Sequence, residues 1–128
     1  MDENELSKII VESAIEVHRN LGGPGLLEGV YEEALVWEIK QRNVFLERQL
    51  TVPIVYKGNS LATPLRLGLD LLVEHKVIIE VKSVSQYNPV FEAQILTYLR
   101  MMNLKLGLVI NFGESLVKNG IHRVVNGI

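Results

Sequence analysis

Residues 69–83, LDLLVEHKVIIEVKS, set two apolar runs on either side of the short polar break Glu74-His75-Lys76. Runs of this length around a turn are what a buried β-hairpin requires, so this stretch is expected to form one. Yet Asp70, Glu80 and Lys82 stand inside the apolar runs, where a charge is costly unless it is paired or bound. Side chains two apart on a strand share a face. Glu80 and Lys82 therefore point with Ile78, while Val77, Ile79 and Val81 point the other way. A turn centred on His75 then puts Asp70 directly opposite Glu80. Directly opposite like charges, roughly 4.5–5.5 Å apart at Cβ, destabilise a hairpin.

The rest of the chain supplies elements to cover that hairpin. Residues 5–21 carry an apolar helical stripe (6, 9, 10, 14, 17, 21) that Gly22-Gly23 closes. A second helix is predicted over 27–42, with Leu27, Val30, Tyr31, Ala34, Leu35 and Ile39 on one face. Residues 46–56 read as a strand in which Pro53 suits an edge or a bulge, and Lys57-Gly58-Asn59 as a turn. Strands over 64–73 and 77–83 follow, and Asn88-Pro89 opens a helix over 89–103 whose core side is Phe91, Ile95, Leu99 and Met102. Leu106–Phe112, almost wholly apolar, reads as a central strand, and 121–126 as an edge strand. The fold class implied is α/β: an antiparallel meander, then a right-handed crossover, giving a mixed sheet flanked by helices.

Composition narrows the function classes. The 128 residues suit one domain, expected over 1–128, with a sizeable core. No cysteine is present, so disulfides, thiolate metal sites and cysteine nucleophiles are excluded. The acidic start MDENELSKII is unlike a signal peptide, and no apolar run approaches the ~20 residues that span a bilayer. A cytoplasmic protein without a membrane partner is expected. Net charge is −2, but residues 1–38 balance to −7 and residues 39–128 to +5. The C-terminal stretch can therefore offer a weakly basic face. The sequence marks no extension that would grip a substrate.

A divalent cation would reverse the sign of the Asp70–Glu80 repulsion. Mg²⁺ takes hard oxygen ligands, typically one or two carboxylates with water and phosphate. Asp70 and Glu80 would seat Mg²⁺ or Mn²⁺, and Lys82, one pleat away, would orient a water or steady charge on a phosphoryl oxygen. These are the residue types that phosphodiester hydrolysis needs. The bland alternative is a solvated Glu-x-Lys ion pair. Gln94 and Tyr98, four apart on the following helix, could reach the strand's end with amide and hydroxyl groups. Glu28 and Glu32 are four apart on the second helix; Glu28 suits the helix dipole, or adds a carboxylate to the site. His18, His75 and His122 lack zinc spacing, Ser83 and Ser85 have no evident triad partners, and the Gly22–Gly25 cluster is not a Walker loop.

Gly25-Leu-Leu-Glu28-Gly-Val-Tyr31 is a GxxExxY signature, and the chain resembles the GxxExxY family from end to end. Further matching segments are Glu32-Glu33-Ala34-Leu35, Glu47-Arg48-Gln49, Asp70-Leu71-Leu72-Val73, Glu92-Ala93-Gln94, Ile110-Asn111-Phe112-Gly113 and Val124-Val125-Asn126-Gly127. That family is placed in the PD-(D/E)XK nuclease superfamily, so the resemblance implies a restriction-endonuclease-like αβββαβ core with an extra N-terminal helix. It implies that Asp70, Glu80 and Lys82 are the D…(D/E)-x-K residues, with Asp70, Glu80 and the Val81 carbonyl as ligands of Mg²⁺ or Mn²⁺. Gln94-x-x-x-Tyr98 resembles the QxxxY motif of the RecB-like branch, and Glu28 matches the signature glutamate on the site's helical wall. In the position before Asp70 this chain has Leu69 rather than proline. The expected function is a Mg²⁺-dependent nuclease, with DNA ahead of RNA as partner. The alternatives are a catalytically silent binding or assembly module of the same fold, or a homodimer or subunit that works with a larger partner.

Overall fold

The central hairpin forms in the register that a turn at His75 dictates, pairing Val73 with Val77, Leu72 with Ile78 and Leu71 with Ile79. Glu74 and His75 take left-handed φ values of +51° and +57°. Two successive positive φ angles give the turn a twist that matches right-twisted strands. The computed structural model describes residues 1–62 and 65–127, with side chains at all of these except 65–69.

Two helices, α1 (Glu3–Asn20) and α2 (Glu28–Gln41), precede β1 (Leu46–Val52). A small hairpin of β2 (Val55–Tyr56) and β3 (Asn59–Ser60) follows, then β4 (Leu65–Val73), β5 (Val77–Lys82), α3 (Val90–Met102) and β6 (Leu106–Asn111). A single 3₁₀ turn at Val117–Gly120 leads into β7 (Ile121–Val125). The five-stranded sheet runs β1-β4-β5-β6-β7. Among the described residues only the β5–β6 pairing is parallel, and α3 is its crossover. The mixed sheet flanked by helices is thus as expected. No helix among the described residues is long and apolar enough to cross a membrane.

Strand alternation splits the core in two. Leu71, Val73, Val77, Ile79 and Val81 pack beneath α1 and α2 with Leu6, Ile10, Tyr31, Leu35 and Ile39. Leu72, Ile78 and Val109 pack on the other face with Ile95, Tyr98 and Leu99 of α3. Asp2 caps α1 by accepting the Glu5 amide at 2.8 Å, and Asn88 accepts the Val90 amide at 3.0 Å at the start of α3.

Two readings differ from expectation. The first strand stops at Val52, because Pro53 has no amide to continue a ladder, and the register shifts between Leu50 and Val52. Leu27 and Val30 are exposed rather than core, at 80% and 41%; the buried stripe of α2 runs through Tyr31, Leu35 and Ile39, and Leu27 precedes the helix. Position 64 of the strand expected over 64–73 lies outside the described residues.

Beyond β6 the chain is locked by close packing. Asn111 is buried, and its side-chain oxygen accepts the amides of Val84 and Gly113, each at 3.0 Å. Its amide nitrogen donates to the Val84 carbonyl at 3.0 Å. A Cβ on Gly113 would lie 2.2 Å from the Val84 carbonyl oxygen, so only glycine permits this approach. Gly113→Ala is expected to cost ~1–3 kcal/mol, read as a lowered urea midpoint; an unchanged midpoint would contradict this packing.

Candidate active site at a fork in the sheet

β4 stays paired with β1 from Val73 back to Leu65, and β5 stays paired with β6 throughout its length. The β4–β5 ladder, by contrast, ends at Leu71 and Ile79. The strands diverge at the next residue pair, where Asp70 and Glu80 would face each other. Asp70 Oδ2 there accepts the Val81 backbone amide at 2.7 Å. The carboxylate thus takes an amide that a continued strand would have paired with main chain. Lys82 lies towards α3, over Phe91, and Glu80 and Asp70 both act on Tyr98 of that helix, as alternation from Leu72 and Ile78 requires. The gap is also open towards α2: Asp70 lines a cavity of about 160 Å³ with Glu28, Gly29, Glu32 and Gln49.

The electrostatics of the fork oppose ionisation. Burial raises Asp70 from 3.8 to about 6; the Val81 hydrogen bond works against this, and the negative charge of Glu32 adds to it. Burial likewise raises Glu80 from 4.5 to about 8, with Asp70 adding repulsion and Lys82 partly offsetting it. Glu80 Oε1 is buried and has no hydrogen-bond partner among the described residues. Tyr98 is buried beside the pair, and its hydroxyl is pushed up to about 12 by burial and by the charges of Glu80 and Asp70. Lys82 places its ammonium 4.6 Å from the centroid of the Phe91 ring on α3, a cation–π contact. Tyr87 meets Phe91 edge-on at 5.5 Å, stacks on His122 at 3.8 Å and donates to Glu92 at 3.1 Å. The perch for Lys82 is therefore braced from β7.

The loop before α2 forms the opposite wall. Tyr31 is fully buried, stacks on Phe112 at 4.7 Å, donates to the Gly23 carbonyl at 2.7 Å and accepts the Leu26 amide at 3.2 Å. Gly25 takes φ +110°, a conformation that glycine alone adopts at little cost. Ser83, next to Lys82, donates to the Leu26 carbonyl at 2.8 Å. The spacing of Gly25, Glu28 and Tyr31 has a physical reading: a left-handed corner, a carboxylate at the helix start and a buried latch.

The fold brings Asp70, Glu80 and Tyr98 together, with Lys82 on the same face and Glu28 exposed at the rim of the cavity. Val81 buries its side chain in the core under α1 and α2, and its amide is taken by Asp70. Gln94 is exposed and makes no hydrogen bond among the described residues. Two neighbours were not anticipated as site residues. Arg48 pairs with buried Glu32 at 2.8 Å, and Gln49, at φ +53°, donates to the same carboxylate at 3.1 Å. Their only sequence signal was the Glu47-Arg48-Gln49 match, which says nothing of Glu32. Among the described residues no three acidic or histidine side chains gather as a metal-binding group. The hard oxygen donors at the fork are Asp70 and Glu80, the number Mg²⁺ commonly takes from protein.

A family model described as the PD-(D/E)XK nuclease superfamily matches residues 4–124, and the chain belongs to that superfamily. The match takes in the diverging strands, both helical walls and the crossover. A comparison with curated proteins and one with solved structures give no match.

Both carboxyls have folded values above their unfolded ones, so the native state holds more protons than the unfolded chain from about pH 4 to about pH 8. Stability of the ion-free protein is expected to fall as pH rises through that window. Glu80→Gln should remove the upper portion of the fall and raise the thermal midpoint at pH 8. A midpoint that climbs with pH, or a variant less stable than the parent at pH 8, would contradict the assignment.

Proposed function

We propose that this chain is a divalent-metal-dependent nuclease of the GxxExxY type, on the RecB-like QxxxY side of its superfamily. The observation that carries the proposal is Glu80 Oε1, buried and without a hydrogen-bond partner among the described residues, set against Asp70 at the fork. Leaving a buried acceptor unpaired costs about 1–3 kcal/mol, and a cation at the carboxylate pair would relieve both that loss and the repulsion. The donor set fits Mg²⁺ or Mn²⁺, with Asp70, Glu80 and the Val81 carbonyl as the groups that would hold it. When bound, such an ion supplies Lewis-acid polarisation of the phosphoryl group and eases ionisation of the attacking water.

The residues of the chain do the positioning. Lys82, fixed over Phe91, orients the water and stabilises the negative charge that grows on the phosphoryl oxygens as the new P–O bond forms and the bond to the leaving oxygen breaks. The Tyr98 hydroxyl, kept protonated by its surroundings, is a hydrogen-bond donor for the phosphate. Glu28 and Gln94, both exposed, would hold water or substrate at the entrance. DNA is the preferred partner over RNA.

A second reading, a subunit that works with a larger partner or with a second copy, draws on Leu27 and Trp37 of the α2 side, exposed at 80% and 60%. Size-exclusion chromatography with light scattering distinguishes it: a discrete dimer would support it, a monomer at all concentrations would remove the dimer form of it.

Purified protein with Mg²⁺ or Mn²⁺ is expected to cleave DNA, and Lys82→Ala to lower the rate by about 10²–10³ with a thermal midpoint close to the parent. Equal activity in the variant, or no cleavage by the parent with either ion, would overturn the proposal.

A further inference from the structure

The connection from β1 to β4 is built where a short turn would have sufficed. Val55 pairs with Ser60 and Tyr56 with Asn59, making a separate two-stranded arm. Val55, Tyr56 and Leu61 are exposed at 65%, 58% and 44%. An isolated two-stranded hairpin is marginal in water, and exposed apolar side chains add nothing to its stability. The arm leaves the sheet where Val52 pairs with Leu65, at the end where β4 and β5 have separated. Asp70 is five residues along β4, or ~17 Å at ~3.3 Å per residue.

Charge sets this segment apart. From Arg48 to Leu69 the chain has three cations, Arg48, Lys57 and Arg66, and no carboxylate, in a protein whose first 38 residues balance to −7. Lys57 and Gly58 form the tip, at φ +50° and +80°. A two-residue turn with both φ angles positive favours Asn-Gly or Gly-Gly, so lysine at the first position is held there against local preference. Its ammonium lies 5.5 Å from the Tyr56 ring centroid. A cation and an exposed aromatic ring at this spacing match a phosphate and its adjoining base.

We infer that the β2–β3 arm is a substrate grip that binds unpaired nucleotides outside the cleavage site, Tyr56 by stacking on a base and Lys57 by pairing with a phosphate. This rests on the nuclease reading and extends it to the form of substrate. Base–aromatic stacking requires a base free of its complement and tolerates any sequence.

The test is fluorescence anisotropy of the full chain with a short labelled oligothymidylate and with a duplex, in EDTA so that nothing is cut. Tyr56→Ala should weaken single-strand binding about tenfold or more, and Tyr56→Phe should retain it. Lys57→Asn should lower the salt slope of single-strand binding by about 0.7, with a thermal midpoint equal to or above the parent. If the parent binds and the arm variants bind equally well, the grip is overturned and the nuclease reading stands. If the variants lose affinity for duplex alone, the assignment to unpaired nucleotides is overturned. A parent that binds neither probe overturns the grip, whereas the nuclease reading is decided separately by cleavage with Mg²⁺ or Mn²⁺.

Discussion

The separation of β4 from β5 after Leu71 and Ile79 is the constraint on which the rest of the molecule turns. Each strand is held by its other neighbour, β4 by β1 and β5 by β6, so neither frays where they diverge. Asp70 closes the apex of the fork through the Val81 amide. The same geometry leaves Glu80 half-buried against Asp70, with one oxygen unsatisfied among the described residues. A fold under pressure for stability alone would close this ladder with apolar residues. Here the strained carboxylate pair sits at the mouth of the sheet, and both helical layers are arranged around it.

Those layers hold their groups through rigid contacts. Tyr31, stacked on Phe112, ties the glycine corner to the end of β6, and Ser83 ties the same corner to the end of β5. Asn111 bridges the chain after β5 to the chain after β6. On the other face Phe91 carries Lys82, with Tyr87 and His122 behind it. A site on which the substrate brings much negative charge gains from side chains placed before it arrives, since no reorganisation is then needed.

Much of this was legible in the sequence because it follows from period-two and period-3.6 patterns. Alternation in LDLLVEHKVIIEVKS gave the register and the shared face of Asp70, Glu80 and Lys82, and helical spacing placed Tyr98 beside them. The fork itself was not legible, since the end of a ladder depends on which neighbour each strand keeps. Gln94 lies one turn from Tyr98 and is exposed, so helical spacing alone does not define what it meets. The Arg48 and Gln49 bonds to Glu32 depend on the irregular β1 backbone near Gln49, which no propensity marks. The β2–β3 hairpin was not legible either, since its strands are too short to show alternation.

The central claim is that Asp70 and Glu80 form a carboxylate pair that a divalent cation relieves. It is tested most directly by thermal unfolding of the parent, Asp70→Asn and Glu80→Gln at pH 8, with and without Mn²⁺. The account predicts that Mn²⁺ raises the midpoint of the parent and leaves both variants unmoved. An unmoved parent, or an equal rise in all three proteins, would contradict it.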